Sequence, residues 1–167
     1  MFDELTDIDI KKMQEEIEYR TLVLRPECLE DVKVARAFGD LSENFEYKAA
    51  KREKNRNDSR IRYLERMIKT AKLISGGSAL GEIGLFDKVE LYFEEDDELQ
   101  SYQIVTTLRQ NSLKGFLSKE SPLGKALMGR KLGDRVQVKV NEDYSYFVVV
   151  RSIEKGEDDA SLPISGF

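Results

Sequence analysis

A stripe of residues in the first half of the chain recurs with the spacing of a coiled-coil seam. Its members are separated by alternating steps of three and four positions: Tyr47, Ala50, Lys54, Asn57, Ile61, Leu64, Ile68 and Ala71. A helix with this pattern has one continuous face that a second helix must cover. The polar members Lys54 and Asn57 reduce stability but limit slippage of the helix register. The seam therefore requires a partner helix, from this chain or from a second copy.

The preceding residues supply a suitable partner. Apolar residues follow one another at helical spacing through the first arm: Ile10, Met13, Ile17, Leu24, Cys28, Val32 and Ala35. Thr6 or Asp9 can cap the start of this arm. Pro26 interrupts it, at a cost of about 3 kcal/mol inside a helix, so we expect a kink or a new helix start near Arg25. Gly39 then ends the arm, and the short turn that follows favours an antiparallel pair within the chain over a parallel self-associating coil.

The second half of the chain has the period of a β-sheet. Residues 76–78 are interpreted as a linker that separates a coiled-coil domain, 1–75, from a sheet domain, 79–155. Alternating patterns predict strands at 88–93, 100–107, 136–140 and 144–153, with a short third strand at 113–117. Ser121 and Pro122 predict the start of one helix. The chain is thus predicted to be α+β, with a small antiparallel sheet and a flexible acidic tail, 156–167.

Composition excludes several classes of site. The chain has 167 residues, no histidine and one cysteine, which rules out an intrachain disulfide and a closed zinc site of Cys and His ligands. No apolar run approaches the ~20 residues that span a bilayer, and the N-terminus lacks a signal pattern, so we expect a cytoplasmic protein without membrane contact. We also expect a monomer, because the two arms satisfy one another.

Charge is distributed unevenly along the chain. The net charge is −5, yet the segment from Lys48 to Lys72 carries ten basic residues and three acidic ones. A basic arm on an acidic protein indicates local attraction to an anionic partner, although a solvated helix face would give the same composition.

The turn between the arms carries two carboxylates, Asp40 and Glu43. With arms of about 30 residues at ~1.5 Å per residue, this turn stands roughly 45 Å from the base of the hairpin. A spacing of three brings both side chains to one side of a turn that enters a helix. The same spacing fits a capping box, in which Asp40 caps the second arm and Glu43 reaches back to it. Spacing alone favours the capping box, and Ser42 and Asn44 are interpreted as turn formers.

Three segments resemble one known family. The tip and its flanks, AFGDLSENFEYKAAKREKN, resemble the signature of the Gre family of bacterial transcript cleavage factors. The stretch SPLGKALMGRKLGDRVQV is similar to the second signature of that family, and RPECLEDVKVAR resembles its first arm. The resemblance extends over about residues 5–155 and implies an N-terminal antiparallel coiled coil followed by an FKBP-like domain.

The resemblance also implies a function. In Gre-like factors the FKBP-like domain binds RNA polymerase near its secondary channel, and the coiled coil enters that channel. Its tip then reaches the polymerase active site and stimulates the polymerase's own cleavage of the RNA 3′ end that backtracking has extruded. Such a factor is an accessory protein and not itself an enzyme.

On this basis Asp40 and Glu43 are predicted to be the catalytic and metal-binding residues. RNA cleavage in a two-metal site needs one ion to hold the leaving oxygen and another to activate water. Magnesium prefers oxygen ligands, so two added carboxylates can help to retain a weakly held ion. We expect no cofactor on the protein alone, and a Mg²⁺ ion shared with the polymerase active site in the complex.

The RNA-binding residues are predicted to be Arg36, Lys48, Lys51 and Arg52. Arg36 and Lys51 look like the closest matches to a basic patch on the coiled coil of the family. Contacts of these cations with phosphates would depend on salt and not on base sequence. Tyr47 could stack on a base, but its place on the seam favours core packing. The chain departs from the family pattern at Phe38 and Phe45, where aromatic residues stand beside the tip.

Two other functions fit the same architecture. A regulator that occupies the secondary channel could inhibit the polymerase without promoting cleavage, although the tip carboxylates match the cleavage factors better. An FKBP-like domain would also suit a prolyl isomerase or chaperone, which needs a concave pocket. The aromatic residues of 79–155 are better explained by packing of a small core without tryptophan.

Overall fold

The computed structural model describes residues 3–39, 44–75 and 79–166, which divide into two compact units. The helical unit comprises Ile10–Ala71, and the sheet unit comprises Asp3–Asp9 together with Lys72–Gly166. The α+β class predicted from the sequence is confirmed. The predicted coiled-coil domain began at residue 1, whereas the structure groups residues 3–9 with the sheet unit.

The helical unit is a hairpin whose first arm is interrupted by a π-helical turn. Its elements are α1 (Asp7–Tyr19), the π-helical turn (Arg20–Leu24), α2 (Arg25–Arg36) and α3 (Phe45–Thr70). The Arg25 N–H donates to the Arg20 carbonyl, five residues earlier, and Pro26 lies in the first turn of α2. The interruption predicted near Arg25 is therefore confirmed. Its physical cause is Pro26, which has no N–H to donate to the carbonyl four residues back. Within the described ranges, no helix is both long and apolar enough to cross a membrane.

The predicted seam forms the core of the hairpin. All of its α3 members are buried or half-buried, and Ile61 and Leu64 retain at most 2% of their exposure. On the first arm Met13 and Ala35 are buried. The π-helical turn adds one residue between the two halves of the first arm. The residues that face α3 beyond the turn therefore lie one position later in the sequence than in a regular α-helix, at Cys28 and Ala35.

A polar layer fixes the register between the two arms. Asn57 is only 5% exposed; its Oδ1 accepts from Arg20 Nη1 at 3.0 Å, and its Nδ2 donates to the Arg20 carbonyl at 3.1 Å. Glu16 accepts from Arg20 Nη2 at 3.3 Å and from Arg60 Nε at 3.2 Å. A shift of one arm along the other would separate these partners and leave buried polar groups unsatisfied. The expected role of Asn57 in limiting register slippage thus has a structural basis.

The larger sheet of the sheet unit is built from β3 (Lys88–Phe93), β4 (Glu98–Val105), β5 (Phe116–Ser118), β6 (Arg135–Lys139) and β7 (Ser145–Glu154), and α4 (Pro122–Leu127) packs on it. The five strands of this sheet lie in the order β5-β4-β3-β7-β6. Neighbouring strands are antiparallel except β4 and β5, which are parallel. The prediction of an antiparallel sheet is wrong for this pair. Two 3₁₀ turns and Gly115, with a φ of 76°, return the chain so that β5 runs in the same direction as β4.

The core of this unit lies between α4 and one face of the sheet. Alternate residues of the strands are buried there, joined by two leucines of the helix: Val89, Leu91, Val136, Val138, Val148, Val150, Leu123 and Leu127. The helix begins as predicted, since Ser121 Oγ accepts from the Gly124 N–H at 3.0 Å and Pro122 takes the first position. A Cβ on Gly124 would lie 2.0 Å from the Ser118 carbonyl oxygen, so this turn excludes any side chain there.

The N-terminal segment is tied into the sheet unit. A strand β1 (Glu4–Leu5) pairs in parallel with β2 (Lys72–Leu73), a pairing that the sequence did not predict. Thr6 and Asp9 then cap α1 reciprocally: the Thr6 N–H donates to Asp9 Oδ2 at 3.0 Å, and the Asp9 N–H donates to Thr6 Oγ1 at 3.3 Å. Both residues proposed as caps therefore act together, in the arrangement of a capping box.

A buried arginine joins this segment to the C-terminal tail. Arg109 is 2% exposed, and its Nε donates to Asp9 Oδ1 at 2.5 Å. Its Nη1 lies 2.5 Å from Asp158 Oδ1 and donates to the Asp159 carbonyl at 3.3 Å. Further along, the Ser165 N–H donates to the Leu108 carbonyl. The tail was expected to be flexible, but Asp158, Asp159 and Ser165 bind other residues of the sheet unit. The contact of Asp158 with Arg109 pairs a buried guanidinium with a carboxylate.

Replacing Arg109 with methionine should destabilise the sheet unit by about 3–5 kcal/mol, because Asp9 would remain buried without its cation. Hydrogen exchange of the β3 and β7 amides reports this free energy for the sheet unit alone. Adding Asp9→Asn should recover part of the loss, since a neutral amide keeps the cap and removes the unpaired charge. A matched surface variant, Lys125→Met, should change little. An Arg109→Met protein as stable as the parent would contradict the role assigned to this cluster.

Candidate nucleic-acid interface

The end of the hairpin lies between α2, which ends at Arg36, and α3, which begins at Phe45. Gly39 has a φ of 120°, a conformation that favours glycine, and lies three residues beyond the last residue of α2. Asp40 and Glu43 fall in residues 40–43, outside the described residues, so their predicted roles stay predictions. The described residues on both sides of them define the surroundings of this segment.

Asn44 connects the two helices across this end. Its Oδ1 accepts from the Tyr47 N–H at 3.0 Å and so caps α3, while its Nδ2 donates to the Ala35 carbonyl of α2 at 2.7 Å. The capping box built on Asp40 is therefore wrong, because the capping position belongs to Asn44 and Glu43 precedes the helix. An amide is suited to this place since it both accepts and donates, whereas a carboxylate only accepts.

Two of the predicted RNA-binding residues meet at one aromatic ring. The Arg36 guanidinium carbon lies 5.6 Å from the centre of the Tyr47 ring, and Lys51 Nζ lies 6.0 Å from it. Tyr47 is half-buried on the seam, and both distances are within the range of cation–π contact. The ring thus holds a cation from each helix near the same point on the surface.

These residues line a groove of about 300 Å³ between α2 and α3, which we name the basic groove. Its lining is Leu29, Val32, Lys33, Arg36, Tyr47, Lys51, Lys54 and Asn55. Lys33 and Lys54 were missed in the sequence, although each stands three positions from a predicted residue on the same helix, a spacing that places them on one face. Lys54 Nζ lies 3.4 Å from Asp58 Oδ2, which offsets part of its charge.

The other two predicted residues lie apart from the basic groove. Lys48 Nζ stands 5.6 Å from the centre of the exposed Phe45 ring. Arg52 is exposed on α3 and is not part of the lining of the groove. The structure therefore brings Arg36 and Lys51 together and places Lys48 nearer the tip. A guanidinium and an ammonium that converge on a groove are suited to phosphate oxygens.

The donor chemistry of Asp40 and Glu43 fits magnesium, which prefers carboxylate oxygens. Two such residues leave most of its coordination to other ligands. Elsewhere, the residues that the structure describes contain no group of three or more His, Cys, Asp or Glu side chains able to hold a metal ion.

The single cysteine is not placed to act as a nucleophile. Cys28 is half-buried on α2, and burial raises the pKa of its thiol. The nearby carboxylates of Asp31, Glu53 and Asp58 raise it further. Since the thiolate is the nucleophilic form, a raised pKa lowers the reactivity of this thiol.

Comparison with known sequences identifies the family. Residues 4–73 match the family described as transcription elongation factor, N-terminal, and residues 78–155 match the transcription elongation factor GreA/GreB C-terminal family. The chain belongs to the GreA/GreB family. The resemblance found in the sequence is confirmed, and the protein is an accessory transcription elongation factor and not an enzyme in its own right.

Two relatives, both named transcription elongation factor GreA, agree with this assignment. The chain is 44% identical to transcription elongation factor GreA of Thermoanaerobacter pseudethanolicus, over 81% of this chain and 87% of the relative. It is 42% identical to GreA of Bacillus licheniformis, over 80% and 85%. Among solved structures, the GreA factor homolog 1 protein of Thermus thermophilus covers 93% of this chain and 100% of its own, at 26% identity and a TM-score of 0.42.

The role of Asn44 can be tested by hydrogen exchange. Asn44→Ala should lose the protection of the Tyr47 amide, because the acceptor at the N-cap disappears. Asn44→Asp keeps that acceptor and loses the donor to Ala35, so Tyr47 should stay protected while the free energy of unfolding falls by about 1 kcal/mol. Unchanged exchange at Tyr47 in the alanine variant would show that Asn44 is not the cap.

Proposed function

We propose that this elongation factor inserts its helical hairpin into the secondary channel of RNA polymerase in the cytoplasm. There it stimulates the polymerase's own cleavage of the RNA 3′ end extruded in backtracked complexes. One observation carries the proposal: Arg36 and Lys51 converge on Tyr47 from two helices, a few residues from Asp40 and Glu43. A phosphate-binding surface and a pair of carboxylates thus occupy the same end of a hairpin.

The basic groove would hold the RNA backbone. Its cations neutralise phosphate charge without reading the bases, as a factor that must act on any transcript requires. Arg36 offers the forked donors that match phosphate oxygens, and Lys51 adds a mobile point charge. Tyr47 supports both cations from the seam, so their positions depend on the packing of the two helices.

The carboxylates would act at the reacting end of the RNA. Asp40 and Glu43 would hold the more weakly bound of two Mg²⁺ ions, together with ligands from the polymerase and the RNA. That ion would serve to activate water, while the ion of the polymerase would hold the leaving oxygen. The contribution of this chain would be two carboxylate oxygen donors. Asn44 directly follows Glu43 and is bound to both helices, so it anchors one end of the segment that carries them.

Asp40→Asn and Glu43→Gln should each reduce cleavage stimulation by more than ~10-fold, because each removes a charged metal ligand. Binding to polymerase should stay close to that of the parent. The measurement is the appearance of shortened RNA in backtracked complexes, repeated over a range of Mg²⁺ concentrations, where the variants should need more of the ion. Variants that cleave like the parent would overturn the role of the carboxylates. A parent that inhibits the polymerase without shortening RNA would support a regulator instead.

Reversing the charge of Lys51 should weaken engagement of backtracked RNA. Lys51→Glu changes the basic groove, whereas Arg66→Glu makes the same change of charge on α3 outside it. We expect a higher half-saturating concentration for the first variant only, with a difference that shrinks as salt rises and screens the phosphates. Equal effects of the two variants would assign the result to net charge and not to the groove.

A further inference from the structure

Two phenylalanines at the hairpin end contribute little to the fold. Phe38 is 69% exposed and Phe45 is 80% exposed, and they stand on either side of the segment that carries the acidic pair. Large apolar side chains gain stability by leaving water, and here both remain in it. Their rings are therefore available to a ligand.

The backbone next to each ring is held by a hydrogen bond to the same atom, the carbonyl oxygen of Ala35. The Phe38 N–H donates to the Ala35 carbonyl at 3.2 Å, and Asn44 Nδ2 donates to that same oxygen at 2.7 Å. Phe45 follows Asn44 directly and begins α3. The backbone of Phe38 and the residue before Phe45 thus bind the same carbonyl of α2, so the two exposed phenylalanines are attached to neighbouring points of the backbone.

Positive charge accompanies the rings. Lys48 Nζ lies 5.6 Å from the centre of the Phe45 ring, which nonetheless keeps most of its exposure. Arg36 stands two residues before Phe38 and enters the basic groove. Exposed rings interleaved with cations suit single-stranded nucleic acid, whose bases stack on rings and whose phosphates bind cations.

We propose that Phe38 and Phe45 form a stacking platform for unpaired bases of the extruded RNA, with Lys48 binding an adjoining phosphate. Every base has a π face, so the platform accepts any sequence, with purines favoured by their larger stacking area. This inference rests on the proposed function, because the RNA reaches these rings only when the hairpin enters the polymerase. It adds base contacts to the phosphate contacts of the basic groove.

The test uses backtracked complexes whose extruded RNA carries a fluorescent purine analogue that is quenched on stacking. The parent should quench it, and the Phe38→Leu/Phe45→Leu variant should not, because leucine keeps apolar bulk without a π face. The double variant should need roughly 10-fold more protein for half-maximal cleavage. Phe38→Tyr/Phe45→Tyr should restore both readouts. Tyr19→Leu, which removes another exposed aromatic from the first arm, serves as the matched control.

The possible outcomes separate the two proposals. A parent that stimulates cleavage without quenching the analogue would overturn the stacking platform and leave the proposed function intact. Leucine variants that match the parent while Phe38→Ser/Phe45→Ser fails would show apolar contact with the polymerase, which also overturns it. A parent that produces no shortened RNA would instead overturn the proposed function. Because both rings are exposed, circular dichroism should show each variant as folded as the parent.

Discussion

The register between the two arms controls what the end of the hairpin can do. Asn57 and Arg20 exchange hydrogen bonds in both directions, and Asn57 is buried within the seam. Apolar seam residues alone would tolerate a shift by one repeat, since one aliphatic contact resembles the next. The polar layer forbids that shift, so Arg36 and Lys51, some distance away on different helices, meet at the same ring.

Asn44 completes this control at the hairpin end itself. It is neutral and binds both helices, so neither Asp40 nor Glu43 is needed to start α3. A carboxylate used as a helix cap is partly neutralised by the helix dipole and its N–H donors. Assigning the cap to an amide leaves the negative charge of the acidic pair available to a metal ion. Asn44 thus starts the helix, and the proposed binding of the metal ion is left to Asp40 and Glu43.

Local patterns predicted the elements of the fold but not all of their pairings. The seam, the interruption at Pro26 and the start of α4 at Ser121 depend on neighbours in sequence, and each is found as predicted. Three contacts join segments that are distant in sequence: the parallel pairing of β5 with β4, the β1–β2 pair and the contact of the tail with Arg109. The periodicity of a single segment does not predict which other segment it will contact. Of the residues that line the basic groove, the sequence suggested Arg36 and Lys51 but not Lys33 and Lys54, which only the pairing of the two helices brings beside them. The cap was misplaced, because Asp40 and Asn44 both suit helix starts and only tertiary contact with Ala35 distinguishes them.

The π-helical turn accommodates one extra residue in the first arm while the seam residues on both sides of it still face α3. Forcing Arg20–Leu24 into regular α-helix would turn everything beyond it by about 100° and bring Glu27 and Asp31 onto the apolar seam. Removing one residue, such as the exposed Val23, would give the same regular helix with Cys28 and Ala35 still facing α3. The turn is thus a place in this arm where the chain can lose a residue without rotating α2 relative to α3.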